Sequence, residues 1–289
     1  MVKLRASFAV DSDRIKNFGI VDPRSTQATD LFRSRLLSGD ERLYLSLWAS
    51  SLLSSITFEP KRKVISADET VEQAYFVVSG TLVAMQGQDI YRLGPGSVLG
   101  LAQGVFNLPS KYSVMTATAV QARVIPLHRI DAIVAKLPQE VRAVLQTIIQ
   151  RILGHRHPHG SPAMAQTADQ GAFQTQIYQD GEQIFRIGEL ANDLYFIQSG
   201  SVEITDGQGA VIAQLSPGQT FGEAAILHAG IRGASARARG PVQCTLMGTQ
   251  AASDLLATYS PLLVNIVEAL LLQQSMHNTL RQDGGLSGG

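Results

Sequence analysis

The chain has 289 residues and a mass of 31.1 kDa, with 45% hydrophobic and 17% charged residues, a composition that suits two folded domains and excludes a disordered chain. Lys and Arg total 24, as do Asp and Glu, for a net charge of 0, so no strong electrostatic pull toward nucleic acid or an anionic membrane operates. The single cysteine, Cys244, excludes an internal disulfide framework and a cysteine-rich metal site.

That cysteine usage fits a reducing compartment, and a soluble cytoplasmic protein is expected. The N-terminus has basic residues but lacks the apolar core of a secretory signal. The most apolar stretch, residues 261–272, carries Asn265 and Glu268 and falls short of the roughly 20 apolar residues of a membrane span, so no membrane insertion is expected.

Residues 1–30 are polar and weakly periodic and read as a loose arm. Residues 30–55 place Leu43, Leu47, Trp48 and Leu52 at helical spacing, with Asp30 and Asp40 as candidate caps. Together residues 1–54 are expected to be an N-terminal arm with helices. From residue 55 short β-branched and aromatic runs follow, such as Val64-Ile65 and residues 75–78, divided by Gly80 and by Gly94-Pro95-Gly96. Helical periodicity covers residues 130–153. Residues 154–172 read as a linker. Its alternating His155, His157 and His159 have no carboxylate or cysteine beside them, so a solvated linker is favoured over a metal site. Residues 173–277 repeat the strand-then-helix order, with helical periodicity over 251–274, and 278–289 read as a flexible tail.

The two halves echo each other. Tyr75-Phe-Val-Val-Ser-Gly80 matches Tyr195-Phe-Ile-Gln-Ser-Gly200 at four of six positions, at an offset of 120. Leu93-Gly-Pro-Gly-Ser-Val-Leu-Gly100 matches Leu215-Ser-Pro-Gly-Gln-Thr-Phe-Gly222 at an offset of 122, as Val120-Gln121 matches Val242-Gln243. Three blocks in one order mean a tandem repeat. The expected fold is mainly β with helices (α+β): two tandem antiparallel, jelly-roll-like β-rolls, over 55–153 and 173–277, each followed by C-terminal helices.

The second repeat holds the constellation with chemistry. Gly218 and Gly222 permit a tight backbone, and residues 223–228 can form a helical turn or two whose first amides face an anion. Arg232 returns nine residues after Glu223, where its guanidinium can fork onto a phosphate. Glu223 is an acceptor suited to a ribose hydroxyl. The set suits a small phosphorylated sugar.

These residues, Tyr195-Phe-Ile-x-Ser-Gly, Pro217-Gly, Phe221-Gly-Glu-x-Ala and Arg232-x-Ala234, resemble the cyclic-nucleotide-binding domain, the family of catabolite activators and protein kinase A regulatory subunits. The resemblance covers 173–275 well and 55–153 more weakly. Gly181, Gly200, Gly218 and Gly222 stand where that family keeps structural glycines. It implies that Glu223 holds the ribose 2′-hydroxyl and Arg232 the cyclic phosphate. It further implies that Gly222, Ala224 and Ala225 supply amides, with Phe221, Gly233 and Ala234 completing the ligand site. Gly233 follows the phosphate arginine where some cyclic-GMP-selective relatives carry Thr or Ser, which leans toward cyclic AMP ahead of cyclic GMP. The last helix, around 262–274, is expected to cover the base, with residues 270–273 as capping candidates.

The first repeat departs from this pattern. Leu101 occupies the Glu position and Ser110 the Arg position, with Lys111 one place off as the only candidate substitute charge. Each lost charge-assisted bond is worth about 1.5–3 kcal/mol, so a degenerate first domain is expected. About 17 residues follow Leu272, too few for a DNA-reading helix-turn-helix, and no DNA partner is expected. No catalytic triad or metal cluster is legible, so the chain is not read as an enzyme and needs no cofactor. The expectation is a sensor that signals through its C-terminal helices to a protein effector or to a second copy in a homodimer. A nucleotide-independent interaction scaffold and a kinase-regulatory subunit are the alternatives, although neither Lys3-Leu-Arg5-Ala-Ser7 nor Arg33-Ser-Arg35 matches a kinase-inhibitor segment.

Overall fold

The computed structural model describes residues 3–20, 25–33, 36–135, 173–222, 230–248 and 260–284, with scattered positions between 137 and 153. The chain divides into two compact units. One is Met1–Lys136 with Arg151–Gly154 and Pro261–Gly289; the other is Leu137–Gln150 with His155–Ser260.

The first unit runs β1 (Lys3–Phe8), α1 (Ser12–Asn17), α2 (Thr26–Arg33), α3 (Gly39–Ala49), β2 (Ser54–Phe58), β3 (Lys63–Ile65) and β4 (Ala74–Ser79). It continues through β5 (Leu82–Gln86), β6 (Asp89–Leu93), β7 (Val98–Leu99), α4 (Leu101–Val105), β8 (Ser113–Thr116), β9 (Val120–Ile125) and α5 (Leu127–Val134). The C-terminal helix, α6 (Pro261–Gly284), completes it. Two sheets, ordered β2-β9-β4-β7 and β1-β6-β5-β8-β3, enclose Phe76, Leu82, Val98 and Ile125, all nearly or fully buried. Burial of each such side chain contributes about 1.5–3 kcal/mol.

The roll is antiparallel apart from one pairing. Residues 3–8, expected as part of a loose arm, form β1, which lies parallel to β6. Ala6, Phe8 and Val10 turn inward and are buried, an alternation too short to stand out in the sequence. Helix α3 starts two residues earlier than Asp40 suggests. Ser38 is its N-cap, in a capping box with Glu41, and Asp40 instead accepts a hydrogen bond from Ser275 Oγ at 2.7 Å.

Helix α6, expected to close the second roll, packs within the first unit. Ser46 Oγ donates to Glu268 Oε1 and Ser50 Oγ to Asn265 Oδ1, both at 2.7 Å, so the polar residues that interrupt this apolar helix are satisfied on α3. The helix runs through to Gly284 rather than giving way to a tail at 278, because Met276 and Leu280 extend its buried stripe. The helical turns expected over 135–153, the linker 154–172 with its histidines, and 249–259 lie largely outside the described residues.

The second unit repeats the roll: β10 (Phe173–Tyr178), β11 (Gln183–Phe185), β12 (Leu190–Ala191), β13 (Asp193–Thr205), β14 (Val211–Leu215), β15 (Thr220–Phe221), β16 (Gly230–Ile231) and β17 (Ser235–Gly248). A sheet ordered β10-β17-β13-β14, with β11 on β17 and β15 on β13, stands beside the two-stranded β12-β16. Tyr195, Ile197, Val202, Leu215, Phe221 and Cys244 lie in its core.

The repeat holds at the level of backbone pairing. Tyr75 pairs with Leu99 as Tyr195 pairs with Phe221. Gly80 and Gly200 share a positive φ, and a Cβ on either would overlap a carbonyl oxygen, that of Ala119 or of Pro241; the shared Ser-Gly thus marks the same close strand crossing. The two-residue insertion falls in the β13–β14 turn, where Asp206 Oδ1 accepts from the amides of Gln208 and Ala210 at 2.9 and 2.8 Å.

Candidate functional site

Arg232 is delivered by the β12–β16 pairing. Its backbone N–H donates to Glu189 O and its carbonyl accepts from Gly188 N–H, both at 2.8 Å. So fixed, the side chain turns into the roll and is only 3% exposed. Nη1 donates to Gly222 O at 3.1 Å and Nη2 to Asp193 O at 2.8 Å. The guanidinium carbon lies 4.0 Å from the centre of the Phe185 ring and 5.4 Å from that of Tyr195, so two aromatic faces and two carbonyl dipoles stabilise the buried cation. Burial raises the Asp193 carboxyl above its usual range, and Arg232 opposes that rise.

The aromatic support is itself built by strand pairing. β13 sets Tyr195 opposite Phe221 on β15, and the two rings stack at 4.7 Å and 12°. Phe185 closes the group at 5.7 and 5.8 Å from them. Gly222 follows with φ +83°, and a Cβ there would stand 2.5 Å from Arg232 Nη1 and 3.0 Å from Asp193 O. Only glycine gives the backbone turn and leaves the guanidinium its place.

Of the expected site residues, the structure brings together Phe221, Gly222 and Arg232. Phe221 is a core residue, 1% exposed, stacked on Tyr195 directly before Gly222. Gly233 is exposed and Ala234 half-buried, on the strand return beyond Arg232. Glu223, Ala224 and Ala225 lie outside the described residues. Sequence reasoning missed Phe185 and Asp193, and took Tyr195 as a fold motif only. The repeat offered a signal: Ile65 and Gln73 replace Phe185 and Asp193 at the offset of 120, so the cradle changes together with the arginine.

The first roll confirms the register. Asp68 N–H donates to Ser110 O at 2.8 Å and Ser110 N–H to Glu69 O at 2.9 Å, the bonds that Gly188, Arg232 and Glu189 make in the second roll. Ser110 is therefore the counterpart of Arg232. Its hydroxyl donates to Tyr112 O at 2.8 Å, and Lys111 is exposed, so neither brings a charge inward. Leu101 opens α4 fully buried.

Among the described residues no group of His, Cys, Asp and Glu is arranged to hold a metal ion, and no helix is long and apolar enough to cross a membrane.

A family model described as the cyclic nucleotide-binding domain matches residues 55–136 and 175–259. The cAMP-dependent protein kinase regulatory subunit of Debaryomyces hansenii is 27% identical over 234 residues, covering 75% of this chain and 50% of its own length. The cyclic AMP receptor protein of Thermus thermophilus is 35% identical over 117 residues, 38% of this chain and 53% of its own. The chain thus spans about half the length of these relatives. Among solved structures, the regulatory domain of Toxoplasma gondii PKA with cAMP aligns over 77% of this chain and 85% of that one, at 20% identity and a TM-score of 0.30. With both rolls matched by one family model, the chain belongs to the cyclic nucleotide-binding domain family and carries two such domains in tandem.

Proposed function

We propose that the chain is a cyclic-nucleotide sensor, not an enzyme, that takes one ligand in the second roll. The observation that carries this reading is Arg232, a buried cation held by Phe185, Asp193 O and Gly222 O at the foot of the segment that leads into Glu223. A ligand phosphate exchanges two weak carbonyl partners for a charge-assisted, bidentate one, a gain of about 1.5–3 kcal/mol per bond. Glu223 takes the ribose hydroxyl, and Ala224 and Ala225 offer amides. Gly233 carries no hydroxyl to reach a guanine amino group, so cyclic AMP is favoured over cyclic GMP. The two rolls with the linker and α6 form the domain plan, and a shift of α6 carries the signal to a protein partner in the cytoplasm. Similarity to a cAMP-dependent protein kinase regulatory subunit supports a kinase as that partner.

Calorimetric titration with cyclic AMP and cyclic GMP tests the reading. One equivalent binding at micromolar Kd or tighter, weakened tenfold or more by Arg232→Ala or Glu223→Ala, supports it. Absence of heat with either nucleotide, from folded protein free of copurified ligand, sinks it and leaves a nucleotide-independent scaffold.

A further inference from the structure

Ala102 lies in the first turn of α4, where backbone N–H groups have no helical acceptor. Its N–H donates to Gln273 Oε1 of α6 at 3.1 Å. Both residues are almost sealed from solvent, at 0% and 1% exposure. In the register set by Ser110 and Arg232, Ala102 is the counterpart of Ala224, whose amide is assigned to the ligand in the second roll. Gln273 therefore puts a neutral carbonyl oxygen on the amide that a ligand oxygen takes in the other repeat. A neutral acceptor is what this place needs, because Ser110 brings no charge and an anion would be buried without a partner.

The same helix walls a small, half-open pocket. Met276 and Leu280 of α6 line a space of about 50 Å³ with Tyr91 and Ser110 of the roll. An apolar cavity of about 150 Å³ takes a benzene ring, so this one is too small for a purine.

The geometry points to Gln273 as the internal occupant of the first roll. It satisfies the Ala102 amide, holds α6 in place and makes this roll the dock of the chain's own C-terminal helix rather than a second nucleotide site. The inference rests on the reading of the second roll as the ligand site.

Hydrogen exchange on the full chain tests it without nucleotide. Gln273→Met keeps the length of the side chain and removes the acceptor. The Ala102 amide is expected to exchange at least tenfold faster, while amides of β9, residues 120–125 of the same unit, keep their rates and so exclude unfolding of the first roll. An unchanged Ala102 rate overturns the proposal. Titration of the unmodified chain with cyclic AMP is the second measurement, and it does not depend on the variant folding. One equivalent is expected, and two equivalents overturn the proposal. Zero equivalents sink the reading of the second roll instead, and the role of Gln273 then stands or falls on the exchange rate.

Discussion

The guanidinium of Arg232 lies over the Phe185 ring at 4.0 Å, and the first roll has lost both partners, with Ser110 and Ile65 in their places. The pair separates charge from geometry experimentally. Arg232→Lys keeps a cation but lacks the planar fork that reaches Gly222 O and Asp193 O together. It is expected to lose cyclic-nucleotide affinity tenfold or more, close to the loss in Arg232→Ala. Phe185→Leu removes the cation–π face, worth about 0.5–2 kcal/mol, and is expected to weaken binding less. Calorimetry on the three variants ranks them, and Lys binding as tightly as Arg would show that a point charge suffices.

Gly222→Ala is expected to damage the site through shape alone. The left-handed φ of +83° costs a side chain about 1–2 kcal/mol, and the new Cβ displaces Arg232 Nη1. Denaturant midpoints are expected to fall together with nucleotide affinity. Gly233→Ala meets open space at ordinary φ and is expected to leave stability within about 0.5 kcal/mol. Equal stability of the two variants would refute the account of Gly222.

The rolls were legible in the sequence because the repeat preserves its turns: Ser-Gly at a close strand crossing and Pro-Gly before the Gly222 or Gly100 turn. Arg232 was legible because it sits at fixed spacing from Phe221-Gly222. Its cradle was not, because Phe185 and Asp193 are remote in sequence and meet Arg232 only through the pairing of β12 with β16. The place of α6 was also hidden. Its helical period is plain, yet a nearly all-round apolar helix does not say which roll it covers. That answer comes from Ser46, Ser50 and Ala102, scattered polar partners that no local pattern ties to Glu268, Asn265 and Gln273.

Cys244 supplies a probe of the second roll. It is fully buried on β17, and burial pushes its thiol up to about 12. A thiol needs both exposure and ionisation to react. In native protein at pH 8, labelling by a thiol reagent is therefore expected to proceed only through opening of the roll. As the proposed ligand of the closed roll, cyclic AMP is expected to slow labelling in proportion to its occupancy. Stoichiometric labelling within seconds of mixing, without denaturant, would contradict the buried placement.

Asp40 sets a pH dependence for the docking of α6. It accepts from Ser275 Oγ across the α3–α6 contact. Burial raises its carboxyl above the usual 3.8; the Ser275 bond opposes the rise and Glu41 adds to it. A folded value above the unfolded one means that the folded state binds the proton more tightly. The stability contributed by this group is thus full below the unfolded value and is lost as pH rises through the folded value. Asp40→Asn mimics the protonated carboxyl and removes that loss. Unfolding followed by the fluorescence of Trp48, the sole tryptophan, on α3, is expected to show the variant gaining on the parent as pH rises above the usual carboxylate value. Parallel pH profiles for the two proteins would mean that the half-buried Asp40 carboxyl carries no cost at neutral pH, and that the polar contacts along α6 tolerate charge as readily as water does.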